Sequence, residues 1–294
     1  VAHASFDTDK YKDAEDGYKN VLQLSAKDDK NTAALIDNLA ASIYKQGEQA
    51  GKAGDHKLAA EHFLRIAQAA PTSTIRPAAE YDAVASLIQL KDWDKATSVL
   101  QAFRQNYPGH KLQPEVTKKM AFVYKEAGKL AVAAAEYERI EKESKDDEMR
   151  RGSLLLAADL YEQAKETERA LGVYKRYMAY FPKPLDLALE SRHKIALIYK
   201  ARNDSGAYIN ELKQIMTQDA QAGRERTPRT RYLGATAALE LTEPLYEQLV
   251  AIKLVKPFEK NLLKKRTAMK TATDAFGKLV NYEVGDVTAA ATYY

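Results

Sequence analysis

Residues 96–108 read ATSVLQAFRQNYP, and their spelling decides the fold. A small residue, Ala96, is followed four positions on by Leu100 and three further by Phe103, which puts all three on one helical face. Pro108 ends the segment, because proline has no amide hydrogen to donate and pushes its predecessor out of the helical region. The same spelling recurs at a fixed distance. Ala59, Ala96, Ala133 and Ala170 stand 37 residues apart, and one more step reaches Ala207. Phe63, Leu100, Tyr137 and Tyr174 follow the first four alanines by four residues, and Ile66, Phe103, Ile140 and Tyr177 follow them by seven. Three of the segments run into proline, at Pro71, Pro108 and Pro182. Such a period marks a stack of like units, each burying its apolar face on its neighbours.

Outward from this segment the chain divides into helix pairs. Residues 77–90 and 93–106 form one predicted pair, 114–127 and 130–143 the next, and 150–164 and 167–180 a third. Asp92 and Gly128 fall at the turns. The first helix of each pair mixes small residues (Ala83, Ala121, Ala158) with large ones (Leu87, Tyr124, Tyr161), as close helix packing requires. Upstream, Tyr11, Ala14, Tyr18, Val21 and Leu22 share a face and match a second helix whose first is missing. Asp28 and Asp29 lead into a start at Asn31-Thr32, followed by predicted helices over 32–50 and 57–69. The step from Ala14 to Ala59 exceeds the period by eight residues, a surplus placed around KQGEQAGKAGD.

Downstream, a fifth pair is predicted over 187–201 and 205–217. Ala196 and Tyr199 stand one place late, and Ala207, back on the period, implies that the turn ARNDSGAY absorbs the slip. After Gln218 a basic link leads to long helices over 229–250 and 256–282. Pro244 is expected to kink or split the former, while Pro257 suits the first turn of the latter. A turn at 284–286 precedes the start of a further helix. The expected domains are therefore a repeat array over 1–218 and longer helices over 219–294. With no initiator Met and a close at ATYY inside a helix, the chain is expected to be a piece of a longer protein.

Composition narrows the function classes. There are no cysteines, which excludes disulfides and thiolate metal sites. No apolar run approaches a membrane span. His56 and His62 are the only neighbouring histidines, and six residues is not a metal-ligand spacing on a helix. No glycine-rich phosphate loop or nucleophile elbow occurs. Carboxylates such as Glu141 and Glu143 are most simply a solvated face. No metal, cofactor or catalytic group is expected, and the chain reads as a non-enzyme.

The net charge of +4 arises within residues 221–294, which carry 12 Lys/Arg against 8 Asp/Glu. Lys253, Lys256, Lys260 and Lys264 step by three and four and form one stripe if the helix is continuous. Lys265, Arg266 and Lys270 widen it, and Arg224, Arg226, Arg229 and Arg231 form a second cluster. The stripe is either a solubilising face or a docking face for an acidic protein, anionic lipid or nucleic acid. Nucleic acid is disfavoured because Phe258 and Phe276 belong to the apolar side instead of interleaving with the cations.

The array resembles the tetratricopeptide repeat family in the small-x-x-x-aromatic pattern of its second helices, its hairpin turns and its terminal prolines. The family's ordinary period is 34. The three extra residues here lie between hairpins, as in YPGHKLQPEV, APTSTIRPAA and FPKPLDLALE. Proline-ended helices with such spacers resemble the variant in bacterial envelope proteins, such as an outer-membrane assembly lipoprotein and the coordinator of the Tol-Pal system. The resemblance covers about residues 6–217. It implies an all-α, right-handed superhelical array of antiparallel helix hairpins. It also implies a periplasmic or envelope location, with a cytoplasmic one as the alternative. The implied function is a scaffold that holds a protein or peptide partner along an inner wall of first helices. At the inward positions stand Tyr44, Tyr81, Lys118, Lys125, Asp159 and His193. Two other readings stay open: the helical superstructure of an enzyme acting on cell-wall polymer, and direct binding of nucleic acid or anionic membrane by the 253–270 stripe.

Overall fold

Backbone groups satisfied within helices account for all the regular structure. The computed structural model describes residues 1–25 and 30–294, and no strand occurs among them. The helix lead expected at Asp28 and Asp29 lies outside the described residues. The chain forms two compact units, Val1–Ser153 and Leu154–Tyr294.

The first unit contains α1 (Ala2–Asp7), α2 (Tyr11–Leu24), α3 (Thr32–Lys52), α4 (His56–Ala69), α5 (Arg76–Gln89), α6 (Trp93–Asn106), α7 (Gln113–Glu126), α8 (Leu130–Glu143) and the start of α9 (Asp147–Gln163). From α1 to α8 each helix packs on the next in sequence, the arrangement of a stack whose units touch only neighbours. A first helix does precede α2: α1 packs there, with Ala2 against Gly17. The second unit continues with α10 (Thr167–Tyr180), α11 (Leu185–Ala201), α12 (Ser205–Gln221), α13 (Pro228–Ala251), α14 (Phe258–Leu279) and α15 (Gly285–Tyr293). Among the described residues, no helix is long and apolar enough to cross a membrane.

The recurring alanines lie in the packed interior. Ala59, Ala96, Ala133 and Ala170 are fully buried, as are Ile66 and Tyr177 seven residues after the first and last of them. Each hairpin turns in the same way. The first helix ends on a residue of positive φ, namely Gly54, Lys91, Gly128, Lys165 and Asn203. The next amide then reaches back to the carbonyl five residues earlier, as from Asp92 to Leu87 and from Lys129 to Tyr124, both at 2.9 Å. Asp55, Asp92 and Asp204 also cap the second helix, each accepting an amide hydrogen bond from the third residue on. At the far end Ala70, Tyr107 and Phe181, each before a proline, leave the helical region.

A left-handed conformation costs a lysine roughly 1–2 kcal/mol, and glycine's greater unfolded freedom returns about half of that. Lys91→Gly and Lys165→Gly are therefore each expected to raise unfolding free energy by about 0.5–1 kcal/mol, whereas Lys91→Ala gains nothing. Urea midpoints of the variants check this.

The structure corrects three further expectations. Gly47, Ala50 and Gly54 stand 37 residues before Val84, Leu87 and Lys91, so residues 47–55 obey the regular frame. The surplus lies upstream, where α3 has 21 residues against 14 in α5, so its first two turns are additional. Second, the one-residue slip is not absorbed before α12. The core residues of α12 are Leu212 and Ile215, with Ala207 only half-buried. They stand 38 residues after Tyr174 and Tyr177, so the added residue lies earlier, between α10 and the core of α11. Third, of the kink or split expected at Pro244 the split does not occur: α13 is continuous from Pro228 to Ala251, with Pro244 at an exposed position.

Gly47 shows why the frame matters. A β-carbon there would lie 2.7 Å from the Phe63 ring. One unit on, the equivalent places hold Val84 and Leu100. Gly47→Ala is expected to cost about 1–3 kcal/mol through overpacking. Adding Phe63→Leu should recover part of that, giving a favourable coupling in a double-mutant cycle measured by denaturant unfolding.

Candidate functional site

Successive first helices of the first unit bring a ladder of polar and aromatic side chains together. Tyr44 on α3 packs its ring on Phe63, with centroids 5.1 Å apart, and its hydroxyl donates to the Asp82 carboxylate on α5. Burial, then the hydrogen bond to Asp82, pushes the Tyr44 phenol well above its usual range. Tyr81, the residue before Asp82, carries the Lys119 ammonium of α7 at 4.7 Å from its ring centroid. Burial lowers the Lys119 pKa, opposed by Asp82 and Glu115. Burial, then Glu115 and Asp82, raises that of Tyr81.

Of the candidate residues on these helices, Tyr44 and Tyr81 thus join one network, completed by Asp82 and Lys119. Lys118 pairs instead with Glu115 at 2.8 Å and borders a cavity of about 90 Å³ lined by Pro114, Ile140 and Met149. Lys125 is exposed in the last turn of α7. Asp82 and Lys119 each follow a candidate residue by one position. A helical face is about 100° wide, so spacing alone does not separate neighbours at its edge.

A second network lies within the second unit. The Tyr174 hydroxyl of α10 sits 2.9 Å from the carboxylates of Asp159 and Glu162 on α9. Lys194 of α11 reaches Glu162 at 2.7 Å and Asp159 at 4.0 Å. Burial, then these two hydrogen bonds, pushes the Tyr174 phenol far above its usual range. His193, half-buried on α11, has its pKa lowered by burial, with Glu190 and Glu240 acting against. Arg229 pairs with Glu190, and Lys200 with Glu240 at 2.9 Å.

The basic stripe is distributed over two kinds of structure. Because α14 begins at Phe258, Lys253 and Lys256 lie in the link after α13, and only Lys260 and Lys264 share a helical face. All four are exposed. Among the upstream arginines, Arg226 is committed to Asp219 at 2.8 Å and Arg231 to Glu283 at 3.2 Å.

Glu141, expected on a solvated face, is instead buried and pairs with Arg150 at 2.9 Å. Among the described residues, two fully buried carboxylates also escape a reading by period alone. Glu15 of α2 accepts from Arg65, Lys19 and Gln46, and Asp219 of α12 from Arg226 and Thr230. Glu15 had a signal in the sequence: its equivalents one place after the recurring alanine are Ala60, Thr97, Ala134 and Leu171. Both carboxylates fasten helices together; neither opens onto the polar ladders. Among the described residues, no group of three or more His, Asp or Glu side chains could hold a metal ion.

No curated protein matches the chain significantly. Among solved structures, a TPR repeats protein from Bacteroides fragilis NCTC 9343 aligns at 12% identity over 86% of this chain and 96% of its own, with a TM-score of 0.42. A tetratricopeptide repeat protein from Parabacteroides merdae ATCC 43184 aligns at 12% identity over 86% and 97%, with a TM-score of 0.40. The structure of Naa15/Naa10 bound to HypK-THB aligns at 14% identity over 100% of this chain and 53% of that one, with a TM-score of 0.43. Within the sequence itself, residues 78–110 and 153–184 match the family profile described as tetratricopeptide repeat.

Proposed function

We propose that this protein is a non-enzymatic scaffold that holds a partner protein or peptide along the first helices of its hairpins. The observation that carries this reading is the ladder Tyr44–Asp82 and Tyr81–Lys119. It links α3, α5 and α7 through side chains that stay half-buried while still reaching the surface. Aromatic rings already fixed by neighbours lose little entropy on binding, and carboxylate and ammonium groups beside them give direction to a docked chain. The repeating unit is about 37 residues, a reading supported by second helices that begin at His56, Trp93, Leu130 and Thr167. The proline-ended second helices and their spacers support a place in the bacterial envelope. Fractionation that recovered the protein only from cytosol would contradict that location.

The test is site-specific photo-crosslinking in living cells. A photoreactive phenylalanine at position 81 is expected to give a defined adduct that is lost when Lys119→Glu is added. The same group in place of Glu61, exposed on α4, should give none. Absence of an adduct from position 81, or the same adduct from both positions, overturns the reading.

A further inference from the structure

The hairpin of α13 and α14 reaches beyond its own core. The last buried residue of α13 is Thr242 and the first of α14 is Ala272; no residue from 243 to 271 is buried. This arm is nevertheless rich in large apolar side chains. Leu254 and Val255 in the link are 48% and 55% exposed, and Phe258 and Leu263 at the start of α14 are 57% and 67% exposed, so Phe276 is on the buried apolar side as expected but Phe258 is not. Lysines stand on both sides of them: Lys253 and Lys256 in the link, Lys260 and Lys264 along the helix. Glu259 is the only acid between residues 253 and 270. Exposed apolar residues and lysines therefore alternate along the link and the first turns of α14.

We propose that this arm docks on the surface of an anionic lipid bilayer. Leu254, Val255 and Phe258 enter the boundary between headgroups and acyl chains, while the lysines stay at the level of the lipid phosphates. The lysine stem covers apolar surface and its ammonium remains hydrated, so the two residue types work together at such a boundary. Charge complementarity selects the lipid: a cluster of this size is drawn to a negative leaflet and has no counterpart on a neutral one. The residue types separate a bilayer from a protein partner. Protein interfaces are depleted in lysine and enriched in arginine, tyrosine and tryptophan. Between residues 253 and 270 every cation but Arg266 is lysine, and neither tyrosine nor tryptophan occurs. The contact is peripheral, since no described helix is long and apolar enough to span.

The test is flotation of the 294-residue chain with phosphatidylcholine vesicles, with and without about 30 mol % phosphatidylglycerol. Binding is expected to the anionic vesicles alone and to weaken as salt is raised. Lys256→Glu, Lys260→Glu and Lys264→Glu together should lower the partition coefficient by about a hundredfold. The corresponding triple change to arginine should retain binding, and Leu254→Ser with Phe258→Ser should abolish it. These positions contribute nothing to the buried core, so unchanged helical circular dichroism and melting will accompany each variant. Wild-type protein that stays off anionic vesicles overturns the proposal, as does a triple glutamate variant that binds like wild type. An acidic amphipathic peptide that binds the arm when vesicles do not overturns it in favour of a protein partner. Tyr81→Ala should leave vesicle binding intact, which keeps this result distinct from the fate of the first-helix ladder.

Discussion

Asp219→Ala is expected to destabilise the second unit by about 1.5–3 kcal/mol, the usual worth of hydrogen bonds to a charged group. The Asp219 side chain is fully buried at the end of α12. Its carboxylate accepts from the Arg226 guanidinium at 2.8 and 3.1 Å and from the Thr230 hydroxyl at 3.0 Å. Thr230 and Thr227 in turn close the capping box that starts α13. The Arg226 guanidinium also lies 5.7 Å from the centroid of the Tyr282 ring. One carboxylate therefore fastens the end of α12, the start of α13 and the turn after α14. Arg226 retains some contact with water, which puts the expected loss at the lower end of the range. Because a helical stack is held by nearest-neighbour contacts, the loss should appear as an earlier, separate unfolding step of α13–α15. Hydrogen exchange in those helices is the measurement. Gly234 supplies a second check. A β-carbon there would lie 2.7 Å from the Asp219 carboxylate, so Gly234→Ala is destabilising alone. In the Asp219→Ala background the contacts with Oδ2 and Cγ are gone but the β-carbon of residue 219 still lies 2.9 Å from the added methyl, so the clash is relieved only in part. The two costs should sum to somewhat more than the double variant shows.

Glu15→Ala is the other large effect, expected at about 3 kcal/mol in the first unit. Glu15 is fully buried and accepts from Arg65 at 2.5 and 2.8 Å, from Lys19 at 2.6 Å and from Gln46 at 2.7 Å. Burial by itself would raise its pKa, but the hydrogen bonds from Arg65, Lys19 and Gln46 outweigh it and hold the carboxyl well below its usual range. A depressed folded-state pKa means that the unfolded chain binds more protons below about 4.5, its ordinary value. The contribution of Glu15 is therefore fully present above that pH and declines as pH falls below it. Denaturant unfolding from pH 7 to pH 3 should show the wild type losing part of this increment and Glu15→Ala lacking that part of the decline. Replacing the pair as a whole is a different matter. Glu15→Leu with Arg65→Met is expected to lie close to wild type, since an apolar pair avoids the desolvation cost. Leucine already fills the equivalent place at Leu171.

How far a position could be read from the sequence followed how local its causes are. The second helices of the regular array were legible to within a residue or two. Their ends are set by prolines at 71, 108 and 182, and their buried faces by alanines and large apolar residues at fixed spacing. The surplus near α3 was legible in size but not in place, because a repeat count measures distance between alanines and not where a helix is lengthened. The slip near α11 is legible at Ala196 but not at Ala207. An alanine at the expected number is no sign of burial when Leu212 and Ile215 carry the core one place later. On the first helices, Tyr44 and Tyr81 fell into the ladder, but Lys119 and not Lys118 lies over the Tyr81 ring. The two residues differ by one step around a helix, and only the neighbour's position decides between them.

The sequence by itself determined that this chain is helical, that its helices come in hairpins, and which faces of them are buried. Those properties follow from backbone hydrogen bonds made within a few residues and from apolar spacing that matches the helical turn. Tertiary structure alone decided which charges are paired and which stand exposed. Glu15 and Arg65 are fifty positions apart and meet through packing, whereas Lys256 and Lys260, equally charged and closer in sequence to carboxylates, stand exposed on an arm with no core beneath it. Composition does not distinguish those two fates, because a charge is buried only where packing supplies the hydrogen bonds that replace its water.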